Sequence, residues 1–157
     1  MNNQHDELTQ VFGEGWGFPL RFNVKSSSSN EKPGAASAVV MSAGASNVAQ
    51  SLALLFQTQP GERIMRASYG CDFQSAMFAN LSDGMLAALR NRIAESVAIH
   101  EPRAEGVTVD MEELWKPQGM LRIVVTYRLA GLEQQLQGHV NVLEGSEGGG
   151  VWAMSLW

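Results

Sequence analysis

Ten residues, Met120 to Leu129, alternate without a break. Leu121, Ile123, Val125, Tyr127 and Leu129 share one face, and Arg122, Val124, Thr126 and Arg128 share the other. A side-chain period of two belongs to a strand with one face in a core. One strand cannot bury that face alone, so the chain must supply partners. Gly106 to Glu113 alternates Val107, Val109 and Met111 ahead of it, and Gln134 to Leu143 brings Leu136, Gly138, Val140 and Val142 into phase behind it. Lys116-Pro117-Gln118-Gly119 makes a turn between the first two. The pattern predicts a three-stranded antiparallel meander.

Two helical patterns precede it. Asn47 to Gln57 places Val48, Leu52, Leu55 and Phe56 at helical spacing, with Ser46 as the expected N-cap and Pro60-Gly61 as the stop. Asp83 to about Ile99 carries a stripe of Leu86, Leu89, Ile93 and Val97, with Ser82 as the cap and Pro102 beyond the end. Nearer the N-terminus, Phe18, Leu20, Phe22 and Val24 alternate and predict a short, half-buried strand, with Pro19 marking an edge. Ser37 to Met41 is read as a second short strand. Lys25 to Ala36 is polar and turn-prone and is read as a loop. The expected fold is α+β: two helices packed on a three-stranded antiparallel meander, with a short N-terminal strand.

The 157 residues suffice for one ordinary domain with a real core. Residues 1–12 are read as a flexible arm and 13–143 as the domain. Residues 144–157 are read as a glycine-rich linker, Gly145 to Gly150, leading to an apolar tail that holds Trp152 and Trp157. That tail is expected to dock, either on its own domain or on a partner as an added strand.

The formal net charge is −5, which argues against nucleic acid as a partner. The longest strongly apolar run, Leu52 to Phe56, is far short of the roughly 20 residues that cross a bilayer. The polar N-terminus lacks a secretory h-region, so a cytoplasmic protein is expected. Cys71 is the single cysteine, and His5, His100 and His139 are scattered, so neither a disulfide nor a metal-ligand spacing is present. Gly13, Gly15 and Gly17 precede a strand rather than a helix, and no phosphate-binding loop follows. No cofactor is expected. Trp16 is read as a core or turn anchor, Cys71 as a small core residue, and His100 as a packed or pairing residue at a helix end.

Four motifs in order carry a resemblance to a known family: Gly15-Trp16-Gly17-Phe18-Pro19-Leu20, then Asn47-Val48-Ala49-Gln50-Ser51-Leu52, then Pro60-Gly61-Glu62-Arg63-Ile64-Met65-Arg66 with Tyr69-Gly70-Cys71, and Glu101-Pro102-Arg103. Over residues 13–143 the chain resembles the baseplate wedge and sheath-initiator proteins of contractile phage tails, type VI secretion and extracellular contractile injection systems. The resemblance implies a structural protein that joins other wedge subunits and templates the first sheath ring by strand sharing. It implies the sheath protein and wedge subunits as partners, with inner tube or hub proteins as further candidates. It also implies six copies per particle and a place in the baseplate of a phage tail-like particle.

The expected partner-binding residues are Glu101, Pro102, Arg103, Arg63, Arg66, Val140, Val142, Trp152 and Trp157. Glu101 and Arg103 admit two readings, a docking node or a local device that closes the helix. The candidate sheath-contacting edges are Leu136 to Leu143 and Val107 to Glu113. The alternative is a peptidoglycan-cleaving, lysozyme-like tail enzyme. Such chemistry needs two carboxylates about 5–10 Å apart, one with a raised pKa. Sixteen acidic residues contain no pair that the sequence singles out.

Overall fold

The computed structural model describes residues 9–23, 38–73, 82–114, 119–141 and 151–154. Contacts divide the chain into Met1–Gln50 and Ser51–Trp157. One helix, α1 (Gly44–Gln57), has its first turns in the former and the rest in the latter.

In the first unit a helical turn over residues 9–12 buries Phe12 and ends where the Gly13 N–H donates to the Thr9 carbonyl. β1 (Glu14–Trp16) runs antiparallel to β4 (Met41–Ala43), with Trp16 opposite Met41. β2 (Phe22–Asn23) pairs with β3 (Ala38–Val39). The short N-terminal strand is therefore present, but the continuous strand expected from Phe18 onward is not. Residues 18–21 are irregular, the Phe18–Pro19 peptide is cis, and Phe18, Leu20 and Phe22 are exposed. The physical reason is a competing set of hydrogen bonds. Gln50 reaches back from α1, accepting from the Phe18 N–H at 2.8 Å and donating to the Trp16 carbonyl at 2.9 Å. The Gly17 N–H donates to Val40. With the Phe18 N–H taken by a side chain, the ladder does not begin at Phe18 and is confined to Phe22 and Asn23. Val24 lies outside the described residues. Trp16 is 65% exposed, so it is neither a core residue nor buried by a turn.

α1 begins three residues earlier than the sequence suggested. Gly44, at φ 57°, opens it, and its N–H donates to the Gly13 carbonyl. Ser46 falls inside the helix and not at its cap.

The second unit holds the core. α2 (Asp83–His100) starts where expected: the Ser82 hydroxyl accepts from the Met85 N–H. Leu89, Ile93 and Val97 of its stripe are buried, joined by Ser96. β5 (Glu105–Leu114), β6 (Met120–Leu129) and β7 (Leu132–Asn141) form the antiparallel meander, with β6 in the centre. All five apolar residues of the alternating face of β6 are buried, and Leu136, Gly138 and Val140 continue that face on β7. Leu52, Leu55 and Phe56 from α1 are buried as well, and the Phe56 ring meets Phe73 edge-on at 6.2 Å. The register of β5 against β6 slips between Glu105 and Thr108, where Gly106 sits at φ 58°.

A fourth strand, β8 (Val151–Met154), adds antiparallel to β7, pairing Leu136 with Met154 and His139 with Val151. The sheet order is β5-β6-β7-β8, so β5 and β8 are the end strands among the described residues. Of the two candidate edges, the one along Leu136 to Leu143 is taken by the chain's own tail from Leu136 to His139, and no described strand pairs with the outer edge of β5.

Candidate functional site

The Glu-Pro-Arg triplet sits where α2 ends. Glu101 leaves helical geometry at φ −135°, and its N–H still donates to Val97 at 2.8 Å, closing the last turn. Pro102, which lacks an N–H, prevents the helix from continuing. The chain then turns tightly enough for Arg103 to fold back on Glu101 with two parallel bonds. Nε donates to Oε1 and Nη2 to Oε2, each at 2.6 Å. This fork-on-fork geometry is the strongest form of ion pair available to side chains.

Burial decides what this pair is for. The Glu101 side chain is 3% exposed and that of Arg103 33%. Burial pushes the Glu101 carboxyl up, but hydrogen bonds from Arg103 and from the Ser51 hydroxyl of α1 outweigh it, and the carboxyl lies below its ordinary value. The carboxylate also raises the Tyr127 phenol, which burial already pushes up, to about 12. Glu101 is thus enclosed, whereas Arg103 and the exposed Pro102 retain an outward face.

The second candidate is the segment from Thr58 to Phe73, which joins α1 to the region before α2. It is held from both ends. The Thr58 hydroxyl donates to Leu54 at 2.6 Å, and the Thr58 carbonyl accepts from the Cys71 N–H. Ser96 of α2 donates from its hydroxyl to the Gly70 carbonyl at 2.8 Å, within the buried interior. Asp72 pairs with Arg92 at 3.3 Å. Gly70 is indispensable here, at φ 133° with the Gln59 carbonyl carbon and the Pro60 nitrogen only 2.9 Å from where a Cβ would stand. Tyr69 is buried and meets the His100 ring edge-on at 5.1 Å, while the Arg63 guanidinium lies 4.0 Å above its face. Arg66 is exposed. Cys71 is buried, and its thiol is pushed up to about 12, by burial first and by the neighbouring Asp72 charge second. A thiol in that state is no nucleophile.

The structure brings Glu101 and Arg103 together and sets Arg63 on Tyr69. It does not bring Arg66 into an ion pair among the described residues. Val140 points into the core at 4% exposure, so any partner contact there runs through the strand backbone. Trp152 lies in β8 opposite Gly138. Val142 and Trp157 lie outside the described residues. The sequence missed the pairing of Arg63 with Tyr69; a six-residue spacing across a turn carries no periodic signal.

Glycosidase chemistry requires a carboxylic acid held above its ordinary value. Glu101 departs clearly in the opposite direction and is locked to an arginine. Among the described residues no three His, Cys, Asp or Glu side chains converge as a metal site. No helix among them is long and apolar enough to cross a membrane.

Comparison with known proteins bears on this arrangement. The family model described as baseplate wedge protein gp25 matches residues 42–134. Among solved structures, a chain of the anti-feeding prophage baseplate is 38% identical. The match covers 81% of this chain and 93% of that one, with a TM-score of 0.69. A crystal structure from Geobacter sulfurreducens, provisionally described as a tail lysozyme, is 26% identical. It covers 63% of this chain and 91% of its own, with a TM-score of 0.57. No curated protein sequence matches significantly.

Proposed function

The chain belongs to the baseplate wedge protein gp25 family, and from that premise we propose that it is a non-enzymatic wedge subunit that templates the first sheath ring by strand sharing. The observation that carries this reading is β8. A strand from outside the meander adds to the outer edge of β7 in register, from Leu136 to His139. An edge that takes an antiparallel strand from the chain's own tail has the geometry to take one from a neighbour. Backbone hydrogen bonds supply the attraction whichever chain provides the strand.

In this reading the sheath protein meets the sheet, through β7 once β8 is exchanged or through the edge of β5 that no described strand occupies. The other wedge subunits meet the opposite candidate, Pro102 and the outward face of Arg103, together with Arg63 and Arg66. Val142 belongs with Val140 to the candidate edge of the third meander strand, and Trp152 and Trp157 belong to the exchanged tail. Glu101 serves these contacts indirectly by fixing where Arg103 points. The protein is made in the cytoplasm and assembled into the baseplate, in six copies if it follows the symmetry of such particles. The inner tube and the hub are further candidate neighbours.

The test is assembly in cells that produce the whole particle with the chain ended after Glu144. Baseplates and naked tubes without extended sheaths, viewed by electron microscopy, are the expected result. Fully sheathed particles from a variant whose circular dichroism matches the parent would overturn strand sharing. The lysozyme reading predicts a different loss, of cell-wall cleavage with normal assembly, when acidic residues are replaced one at a time.

A further inference from the structure

Two adjacent residues at the tip of the Thr58–Phe73 segment stand in water. Ile64 is 97% exposed and Met65 92%, the highest values among the exposed large apolar side chains described. Single exposed apolar residues are ordinary, but two in succession at the apex of a braced loop are not. The apex is closed by short-range bonds. The Gly61 N–H donates to the Ala67 carbonyl at 2.7 Å, and the Arg66 N–H to that of Arg63 at 3.1 Å. The Glu62 carboxylate accepts from the Gln59 N–H at 3.0 Å. Arg63 is pinned over Tyr69, and the Tyr69 N–H donates to Arg66. The apolar pair is therefore presented in a fixed pose, and little ordering entropy is left to be lost on binding.

Charge narrows the occupant. Arg63 and Arg66 flank the pair on both sides in sequence. Glu62, beside Arg63, is turned back onto the Gln59 N–H, so a second copy docked tip to tip would set arginine against arginine, which disfavours a self-complementary contact. A membrane carrying anionic headgroups suits two arginines but is repelled by a chain of net charge −5. An apolar socket rimmed by carboxylates satisfies both the knob and its flanks.

We propose that Ile64 and Met65 form a preformed plug that seats in an apolar, acid-rimmed socket on a different subunit of the same baseplate. The proposal rests on the reading of the chain as a wedge subunit and adds the chemistry of one of its contacts. Seating buries both side chains completely, and Arg66 reaches the rim.

Two experiments decide it, both with the full chain made alongside the other particle components. In the first, Ile64→Asp with Met65→Asp lowers the amount of this chain in purified baseplates by at least about tenfold, while Ile64→Leu with Met65→Leu leaves it unchanged. Arg66→Glu gives a smaller loss. Wild-type incorporation of the folded double-aspartate variant overturns the proposal. Absence of the wild-type chain from purified baseplates overturns instead the wedge reading on which it rests.

In the second, Met65→Cys is labelled with benzophenone maleimide, which the buried Cys71 does not compete for, and assembled baseplates are irradiated. The expected adduct is a peptide of another baseplate subunit that combines apolar residues with Asp or Glu. A cross-link to a second copy of this chain, to lipid, or to nothing overturns the proposal.

Discussion

Arg103 neutralises a carboxylate that water scarcely reaches, and the two substitutions of this pair are not equivalent. Arg103→Ala leaves Glu101 charged and enclosed, at a cost of about 3 kcal/mol, near the low end for a broken buried pair because a third of Arg103 is already in water. Replacing both partners together, Glu101→Leu with Arg103→Met, costs less than Arg103→Ala alone, because no orphaned charge remains. Urea denaturation of the single and double variants measures both. The folded-state carboxyl of Glu101 lies below its ordinary value of 4.5. Its contribution is therefore fully present above that value and is lost as the pH falls through the lower, folded-state one. Between pH 7 and pH 5 it contributes no slope. Below about pH 4.5 the wild type loses stability faster than a Glu101→Gln variant, which denaturation midpoints across that range check. Cys71, with its thiol pushed up to about 12, is expected to resist an aromatic disulfide reagent at pH 8 and to react fully once urea unfolds the chain. At this scale the sequence was informative about identity and silent about burial. Glu-Pro-Arg is visible as a triplet, but that its first member is enclosed depends on Ser51, fifty residues earlier. Trp16 misleads for the reverse reason, since a large aromatic between glycines looks like an anchor and is exposed.

Among the elements, those with a strong period and a chemical stop were readable. α2 has Ser82 at its start, a clean stripe and Pro102 past its end, and it forms where those signals place it. β6 matches its alternation over all ten residues. α1 starts early because its first residue is a glycine in left-handed geometry, a start without a capping side chain for the sequence to reveal. Phe18 to Val24 alternates as a strand should, yet the Gln50 side chain, distant in sequence, takes the Phe18 N–H, and among the described residues of the segment only Phe22 and Asn23 enter a ladder. Gly70 and Gly106 are where an element's shape depends on one missing methyl. A Cβ at Gly106 would lie 2.8 Å from Nη2 and 3.0 Å from Nε of Arg128, the far end of a side chain that can move. At Gly70 the obstacle is backbone. Gly70→Ala is therefore expected to cost about 3 kcal/mol or more and Gly106→Ala about 1–2 kcal/mol, both positions being left-handed. Thermal melting of the two variants ranks them, and equal losses would contradict this account.

For the molecule as a whole, the meander was legible, and its fourth strand was legible only as an apolar tail with two docks open to it. Val151 to Met154 follows a run of glycines that reads as a linker, and four residues carry too little periodicity to say whether the strand joins its own sheet or a partner's. Its position makes the isolated chain self-limiting. With β8 in place, the outer edge of β7 is shielded from Leu136 to His139, where a stray strand would pair. A chain ended after Glu144 is expected to self-associate in sedimentation velocity, while the full chain remains monomeric at the same concentration. A truncated chain that stays monomeric would mean that β7 needs no cover.

At the other end of the sheet no described strand covers β5. β5 carries Glu105, Asp110, Glu112 and Glu113, all exposed, with Glu112 engaged by Arg122 at 2.5 Å. Carboxylates along a bare strand discourage indiscriminate pairing, and they also make the edge a filter. A segment bearing lysine or arginine at alternate positions is favoured there over an acidic one, which the carboxylates repel. Exposed charges lose sight of one another beyond about 10 Å at 0.1 M salt. The filter is therefore sharp in dilute buffer and dull in brine, and ionic strength sets how selectively this edge chooses its neighbour.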